Sequence, residues 1–343
     1  MNRKVSLKDI AKAAGVSVAL VSYVLNNKKE GRISKPVAEK IRAIALSMNY
    51  RTNQIARSLK TSKTYTIGLI LADISNPFSA ALARYIEDEA DRHGYTVIIG
   101  SSDEQPGKFR KILDALANRQ ADGLILSPPG EAAPQITTLL QQQVPFVLID
   151  RYFPGIATNS IVLDNFIAAF EATSHLLDRG YRNIGLINYA SSLFHLADRT
   201  RGYQAAMAAG NISYPGNAVQ EVQQASLQED TEKAVALLLS SAKPSDALLF
   251  GSNVIAMHAV KYLNRQRFRI PEDLALVCFD ETDAFDLFYA PLTCIRQPIK
   301  AMAEKSVALL LQNIEDSNGP VRNIRFNGEL IVRASSAQKI YTG

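Results

Sequence analysis

The chain changes rhythm at residue 64. Beyond it, short unbroken apolar runs alternate with longer stretches in which apolar residues return every third or fourth position. One set of runs, "TIGLIL" from Thr66, "TVIIG" from Thr96, "GLILS" from Gly123 and "FVLID" from Phe146, is separated by amphipathic segments near 78–93, 107–119 and 134–142. A second set opens at "SIVLDN" from Ser160 and continues through "NIGLIN", a strand around 218–222, "ALLFG" and "LALVCFD", with helices between. Runs of Val, Ile and Leu without polar alternation are strands buried on both faces, so this order predicts parallel sheets between layers of helices. Two sets predict an α/β body of two lobes, each a doubly wound parallel sheet. Such sheets bind ligands beyond the carboxyl ends of their strands, which places a cleft between the lobes.

Before residue 64 the pattern is helical throughout. Ser6 and Asp9 have capping-box spacing, and Ile10, Ala11 and Ala14 recur at helical intervals, which predicts a helix over 7–14. Gly15 supplies a sharp turn and Ser17 caps a second helix whose inward face is Val21, Val24 and Leu25. Its outer side carries Val18, Ala19, Ser22, Tyr23 and Asn26. Ser34 caps a third helix with an apolar stripe of Val37, Ile41, Ile44, Ala45 and Met48, leaving Lys40 and Arg42 outside it. A helix, a turn of three or four residues and a second helix is the helix-turn-helix arrangement, in which the second helix enters the major groove by its N-terminal end. Small side chains there permit close approach and touch thymine methyls, and a tyrosine hydroxyl reaches a base edge or phosphate. Thr52 or Asn53 caps a further short segment through Leu59, too brief to be stable as an isolated helix in water.

Charge follows the same division. The net charge of +5 over 343 residues resolves into 14 Lys or Arg against three acidic residues in 1–65, and 24 against 30 in the remainder. A basic module on a mildly acidic body suits a polyanion at the front of the chain alone. The composition, 47% hydrophobic and 21% charged, is that of a globular protein long enough to bury large cores. No apolar run approaches the roughly 18 residues of a membrane span, "MNRKVSLKDI" lacks a signal peptide's apolar stretch, and Cys278 and Cys294 have no metal or redox spacing. These features predict a cytoplasmic protein with no membrane partner.

Polar residues gather where the strands end: Asp73, Asn76 and Phe78 after the first, Ser127 after "GLIL", and Asp150 and Arg151 after "FVLI". Arg199 follows "NIGLIN" with His195 four residues before it; Ser252 and Asn253 follow "ALLF", and Asp280 follows "LVCF". Carboxylate, amide and guanidinium groups around an aromatic face suit a sugar, through forked hydrogen bonds to adjacent hydroxyls and stacking on the ring. Arg151 either pairs with an acidic group across the cleft or selects a charged ligand such as a phosphorylated sugar. The chain has no G-x-G-x-x-G after a first strand, no P-loop, no G-x-S-x-G and no H-E-x-x-H, and His93, His175, His195 and His258 are scattered. No catalytic residue, metal or cofactor is expected.

Several stretches together resemble the lactose-repressor (LacI/GalR) family of bacterial transcription regulators: "VSLKDIAKAAGVSVALVSYVLN", "ISKPVAEKIRAIALSMNYRTNQIARSLKT" and "TIGLILADISNPFSAAL". The likeness continues through "QADGLIL", "IDR", "HLLDRGYRNIGLI", "RTRGYQAAM", "VCFDETD" and "APLTCIRQP", in the family's order over almost the whole chain. The resemblance implies a helix-turn-helix headpiece over 1–48, a hinge helix and linker over 49–63, and a periplasmic-binding-protein-like body. It divides that body into a first lobe of 64–162 with 292–322 and a second of 163–291 with 323–343. It implies an effector-responsive repressor of carbohydrate genes, reading a pseudo-palindromic operator as a homodimer, with first-lobe helices including 78–92 in the interface and a tetramer left open. Operator contacts fall to Ser6, Ser17, Val18, Ala19, Ser22, Tyr23 and Asn26 in the headpiece. Asn53, Gln54, Ala56, Arg57 and Leu59 would meet the minor groove, Leu59 as an apolar wedge. A sugar or sugar derivative would lie among Asp73, Asn76, Phe78, Ser127, Arg151, His195, Arg199, Asn253 and Asp280, with Arg199 and Asp280 matching effector contacts of relatives.

The sequence departs from the family at defined places. Thr52 stands where members often have proline, Val18 and Ala19 are more apolar than the usual pair, and Asn253 replaces a frequent aspartate. Two other readings use the same body: a solute receptor for transport, opposed by the headpiece and the missing export signal, and a sugar-converting enzyme, which turnover assays on candidate sugars would reveal.

Overall fold

A computed structural model describes residues 5–26, 32–50, 63–212 and 216–339. The chain divides into two compact units, Met1–Thr64 and Tyr65–Gly343.

In the first unit the helices α1 (Leu7–Ala14), α2 (Val18–Leu25) and α3 (Lys35–Ser47) pack around Ile10, Val21, Val24, Ile41 and Ala45. The capping box at α1 forms as its spacing requires: the Ser6 backbone N–H and hydroxyl both donate to Asp9 Oδ2, at 2.8 and 2.7 Å. Gly15 ends α1 at φ +71°, a left-handed conformation that glycine adopts without a Cβ penalty. Ser17 Oγ accepts the Leu20 N–H at 3.2 Å and starts α2. Ser34 precedes α3 without a side-chain cap, and Pro36 presets the first turn instead. Lys40 reaches over to donate to the Ala14 carbonyl at 3.1 Å, satisfying one of the orphan acceptors at the end of α1.

The second unit contains two six-stranded sheets. The first holds β1 (Thr66–Leu71), β2 (Thr96–Ser101), β3 (Gly123–Leu126), β4 (Phe146–Ile149), β5 (Ser160–Leu163) and β11 (Asn323–Phe326), all parallel, in the order 11-5-4-3-1-2. The second holds β6 (Ile184–Tyr189), β7 (Val219–Val222), β8 (Ala247–Phe250), β9 (Ala275–Phe279) and β10 (Thr293–Arg296), parallel, with β12 (Glu329–Ile331) antiparallel at one edge, in the order 12-10-9-8-6-7. Helices cover both faces of each. In the first lobe α4 (Pro77–Arg92) and α11 (Ile299–Glu315) lie over Ile67, Leu69 and Val147, and α5 (Pro106–Asn118) and α6 (Ala133–Gln141) over Ile70, Leu124 and Leu148. In the second, α7 (Asn165–Asp178) and α8 (Phe194–Ala209) cover one face, and α9 (Leu227–Ser240) and α10 (Asn253–Arg265) the other. The first strands of the lobes share a glycine for the same reason. A Cβ at Gly68 would lie 2.6 Å from Leu116, and one at Gly185 2.8 Å from Leu238, so each glycine lets a helix sit close on its sheet.

Three segment assignments differ from the expectation. Ser160–Leu163, which the run pattern made the opening of the second set although the division at 162/163 left most of it in the first lobe, pairs with β4 and β11 in the first sheet. Thr293–Arg296, expected in the first lobe, pairs with β9 in the second, whereas Asn323–Phe326, expected in the second lobe, pairs with β5 in the first. Composition does not assign these runs to a sheet, and Asn323–Phe326, with Asn323 and Arg325 exposed, is an edge strand; pairing decides the sheet of each. The main chain therefore passes between the lobes at 163–165, 296–299 and 326–329. In each sheet the strand order reverses beside the lobe's first strand, at β1/β3 and at β6/β8, and a ligand crevice forms at such switch points.

Candidate functional site

In the headpiece, α2 turns Val21 and Val24 into the core and leaves Ser17, Val18 and Ala19 exposed at its N-terminal end. Val18 keeps 40% of its surface open, a large apolar side chain placed outward at the leading turn. Ser22, Tyr23 and Asn26 are half-buried. Asn26 is committed locally: its Nδ2 donates to the Ser22 carbonyl at 2.7 Å and closes the C-terminal turn. Ser6 is exposed but is likewise engaged with Asp9. The candidates Asn53, Gln54, Ala56, Arg57 and Leu59 lie outside the described residues.

The body carries a cleft of about 670 Å³ between its lobes. Asp73, Asn76, Phe78, Arg151, His195, Arg199, Asn253 and Asp280 all line it, together with Glu104, Asp150, Tyr189 and Ser252. Ser127 is not among the lining residues. Its N–H donates to the Ile70 carbonyl at 2.8 Å, extending the ladder past the end of β3, and the side chain is buried there. Gly130 and Glu131, further along the same loop, reach the cleft in its place.

On the first-lobe side, Asp73 Oδ1 accepts the Ser75 N–H and hydroxyl at 2.8 and 2.7 Å, bending the chain into α4. Asn76 caps that helix, its Oδ1 accepting the Phe78 N–H at 3.0 Å. The same oxygen accepts the Asn253 Nδ2 from the opposite lobe at 3.1 Å, a hydrogen bond across the cleft. Arg151 pairs within its own lobe, not across the cleft. Its Nη1 and Nη2 meet Glu104 Oε2 and Oε1, both at 2.7 Å, and its Nε meets Asp150 Oδ2 at 3.2 Å. Burial alone would weaken the hold of Arg151 on its proton, but Glu104 and then Asp150 outweigh it and raise the pKa. Burial pushes the Asp150 carboxyl up, with Arg151 and Arg199 opposing.

On the second-lobe side, α8 presents His195 and Arg199 one turn apart on its buried face. The Arg199 guanidinium lies 4.1 Å from the centroid of the Phe279 ring; its Nε donates to Asn165 Oδ1 at 2.8 Å and its Nη1 to the Gly251 carbonyl at 2.5 Å. Asp280 Oδ2 lies 4.0 Å from Nη1, and Asp280 Oδ1 accepts Gln297 Nε2 at 2.6 Å. Burial lowers the Arg199 pKa against the pull of Asp280 and Asp150. A guanidinium donor beside a carboxylate in a buried site suits two neighbouring hydroxyls, one accepting from the guanidinium and the other donating to the carboxylate. His195 is buried, its Nδ1 unpartnered, and burial followed by the charges of Arg151 and Arg199 holds it well below the usual histidine range. Ser252 Oγ accepts the Ile255 N–H at 3.2 Å, starting α10, and donates to the Tyr189 hydroxyl at 3.3 Å.

Asp150 and Asp280 occupy equivalent places, at the ends of β4 and β9, with φ +69° and +66°. Aspartate tolerates this left-handed conformation better than most residues, and the turn swings each carboxyl into the cleft. Glu104, Tyr189, Asn165 and Gln297 were not singled out in the sequence. Glu104 follows Asp103 in two successive left-handed residues, φ +51° and +57°, in the loop after β2, and no local motif announces that turn. Tyr189 directly follows "NIGLIN", which was a usable signal. His93, expected at a helix end, sits there on the surface, 3.2 Å from Glu89. Among the described residues no group of three or more His, Cys, Asp or Glu is placed to hold a metal ion, and no helix is long and apolar enough to cross a membrane.

Comparison with known proteins agrees with both units. Residues 6–53 match the model of bacterial regulatory proteins of the lacI family, and residues 173–336 match a periplasmic binding protein-like domain. A ribose operon repressor from Halalkalibacterium halodurans is 32% identical over 335 residues, 96% of this chain and 97% of that protein. Among solved structures, the lac repressor dimer bound to operator and the anti-inducer ONPF has a TM-score of 0.82 at 21% identity, covering 98% of this chain and 100% of that one. A complex of the transcriptional regulator CelR with cellobiose has a TM-score of 0.73 at 22% identity, covering 97% and 100%.

Proposed function

This chain belongs to the lacI family of bacterial regulatory proteins and is a DNA-binding transcription regulator; from that premise we propose that it is a cytoplasmic repressor of carbohydrate-utilisation genes whose operator affinity is set by a sugar or sugar derivative in the cleft of its body. The observation that carries the proposal is the Arg199–Asp280 pair, a buried guanidinium and carboxylate 4.0 Å apart on the wall of a polar cleft. The CelR complex, a protein of this fold, holds a disaccharide. Ser17, Val18 and Ala19 approach the bases of a pseudo-palindromic operator, and two headpieces of a homodimer occupy its half-sites. Asn53, Gln54, Ala56, Arg57 and Leu59 are assigned to the minor groove by family resemblance.

The effector acts through the lobes. Asn76 and Asn253 hydrogen-bond across the cleft, and Gln297, in a passage between lobes, is bound to Asp280. A ligand that engages Asp280 therefore addresses a residue tied to the chain's passage between lobes. Differential binding of this kind alters affinity at a second site by about 5- to 150-fold. The test is a thermal-shift screen of sugars and sugar derivatives on the wild type and Arg199→Ala, followed by operator binding with the hit present. A compound that stabilises the wild type alone and changes its operator affinity supports the proposal. A compound that stabilises both proteins equally and leaves operator affinity unmoved overturns it.

A further inference from the structure

The cleft contains two arginines, yet neither is available to an anion. The Nη atoms of Arg151 are occupied by both oxygens of Glu104 at 2.7 Å, and its Nε by Asp150. Arg199 has Asp280 at 4.0 Å, so an anion approaching its guanidinium would meet that carboxylate. Five carboxylates line the cleft against these two arginines and one lysine, Lys261, which leaves no excess positive charge.

Glu104 is held where it is by the fold. It reaches the cleft through two consecutive left-handed residues, and its N–H is fixed on the Ala72 carbonyl at 3.1 Å. Left-handed backbone at non-glycine residues carries a cost, so the loop is maintained in an unfavourable shape that delivers this carboxylate to Arg151. We propose that Glu104, by holding Arg151 in a two-pronged ion pair, restricts the cleft to uncharged ligands with adjacent hydroxyls, so that sugar acids and sugar phosphates are refused. This rests on the reading of the cleft as the effector site. A carboxylate or phosphate placed there would have to displace Glu104 from a buried guanidinium, leaving one buried anion without its partner. A neutral diol needs no such displacement: it takes its donor from Arg199 and its acceptor from Asp280.

The test is calorimetric titration of the full chain with D-glucose, D-galactose, D-ribose and cellobiose beside D-gluconate, D-galacturonate and ribose 5-phosphate. It is applied to the wild type, Glu104→Gln and Glu104→Gln/Arg151→Gln. The wild type is expected to bind a neutral probe at least about tenfold more tightly than any charged one. Glu104→Gln, which frees the Arg151 fork, should tighten binding of a charged probe by about tenfold or more, the scale of a hydrogen bond to a charged group, and the double variant should lose that gain. Binding of an acid or phosphate by the wild type as tight as that of the neutral sugars overturns the charge rule and leaves the effector reading standing. A folded Glu104→Gln protein with no gain assigns the refusal to something other than Glu104 and overturns the proposal. If neither the wild type nor Glu104→Gln takes any probe, both readings fall together. Should Glu104→Gln not fold, the wild-type comparison of neutral with charged probes decides alone.

Discussion

Replacing Asn253 with aspartate changes one buried atom from donor to acceptor, and the structure states what that does. Asn253 Nδ2 donates to Asn76 Oδ1 at 3.1 Å; that amide oxygen has no proton to offer in return, and the Phe78 N–H it also accepts keeps it in this orientation. In Asn253→Asp two acceptors would face each other across the cleft. The lost hydrogen bond is worth about 0.5–1.5 kcal/mol, and acceptor repulsion in a site only 2% exposed adds to it. One effect opposes: residue 253 is the first of α10, where the helix N-terminus favours a negative charge by about 0.3–1 kcal/mol. The net is about 1–2 kcal/mol. Because the bond joins the two lobes, the cost falls on lobe closure, and the closed population drops by roughly 5- to 30-fold relative to the open one. Small-angle X-ray scattering of the effector-free protein reads this as a larger radius of gyration. Asn253→Ala, which removes the donor without adding charge, should give a smaller change in the same direction. Scattering from Asn253→Asp that superimposes on the wild type, together with a lowered melting temperature, would show that the bond supports the fold and not the lobe angle.

Other outcomes follow from neighbouring geometry. Arg199→Ala should abolish the ligand-induced stabilisation, about 2.7 kcal/mol at 100 times the dissociation constant, while operator affinity without effector persists; an undiminished thermal shift would remove Arg199 from the pocket. Ser17→Ala, which deletes the Leu20 cap, should cost about 0.5–2 kcal/mol and weaken operator binding, as a mobility-shift titration would show, and unaltered affinity would count against α2 as the reading helix. His195 gives a pH test. Its folded pKa lies well below its value in the unfolded chain, so the unfolded state binds the extra proton; stability is intact above the usual histidine range and falls as pH drops through it. His175 and His258 are lowered too, by burial first, and act in the same direction, so His195→Gln should flatten the acid limb only in part. Denaturant melts between about pH 7.5 and 5 measure it, and an identical slope in the variant would refute the assignment.

Period and caps made much of the fold legible. The boundaries of α1 and α2 follow from Ser6, Asp9, Gly15 and Ser17, whose hydrogen bonds or backbone form as their spacing requires. Unbroken apolar runs gave the strands of two parallel sheets, because a strand buried on both faces tolerates little else. Their sheet membership was not legible in the same way. "SIVL", "TCIR" and "NIRF" contain nothing that distinguishes one core from the other, and each is assigned by pairing partners far away in sequence. The site was visible to the extent that its residues directly follow strands, as Asp73, Arg151, Asn253 and Asp280 do. Glu104 was not, since its position depends on two left-handed residues in a loop. Ser127 follows a strand as well, but its backbone continues the ladder by one more bond and carries the side chain into the interior.

The three passages of the main chain between lobes have a mechanical meaning. A single strand joining two bodies is a tether, about which they can tumble and swivel; a pair fixes an axle; a third strand off that line resists torsion around it. Here the passages at 163–165, 296–299 and 326–329 are further pinned together, the Asp164 N–H on the Phe326 carbonyl at 2.7 Å and Asp280, at the cleft, on Gln297. Three pinned passages leave the lobes fewer independent ways to move against each other than a single tether would, with opening and closing of the cleft the simplest that remains. With the effector in this cleft, as proposed, such a joint would turn a ligand's girth into an angle between lobes, as a pair of calipers turns thickness into a reading.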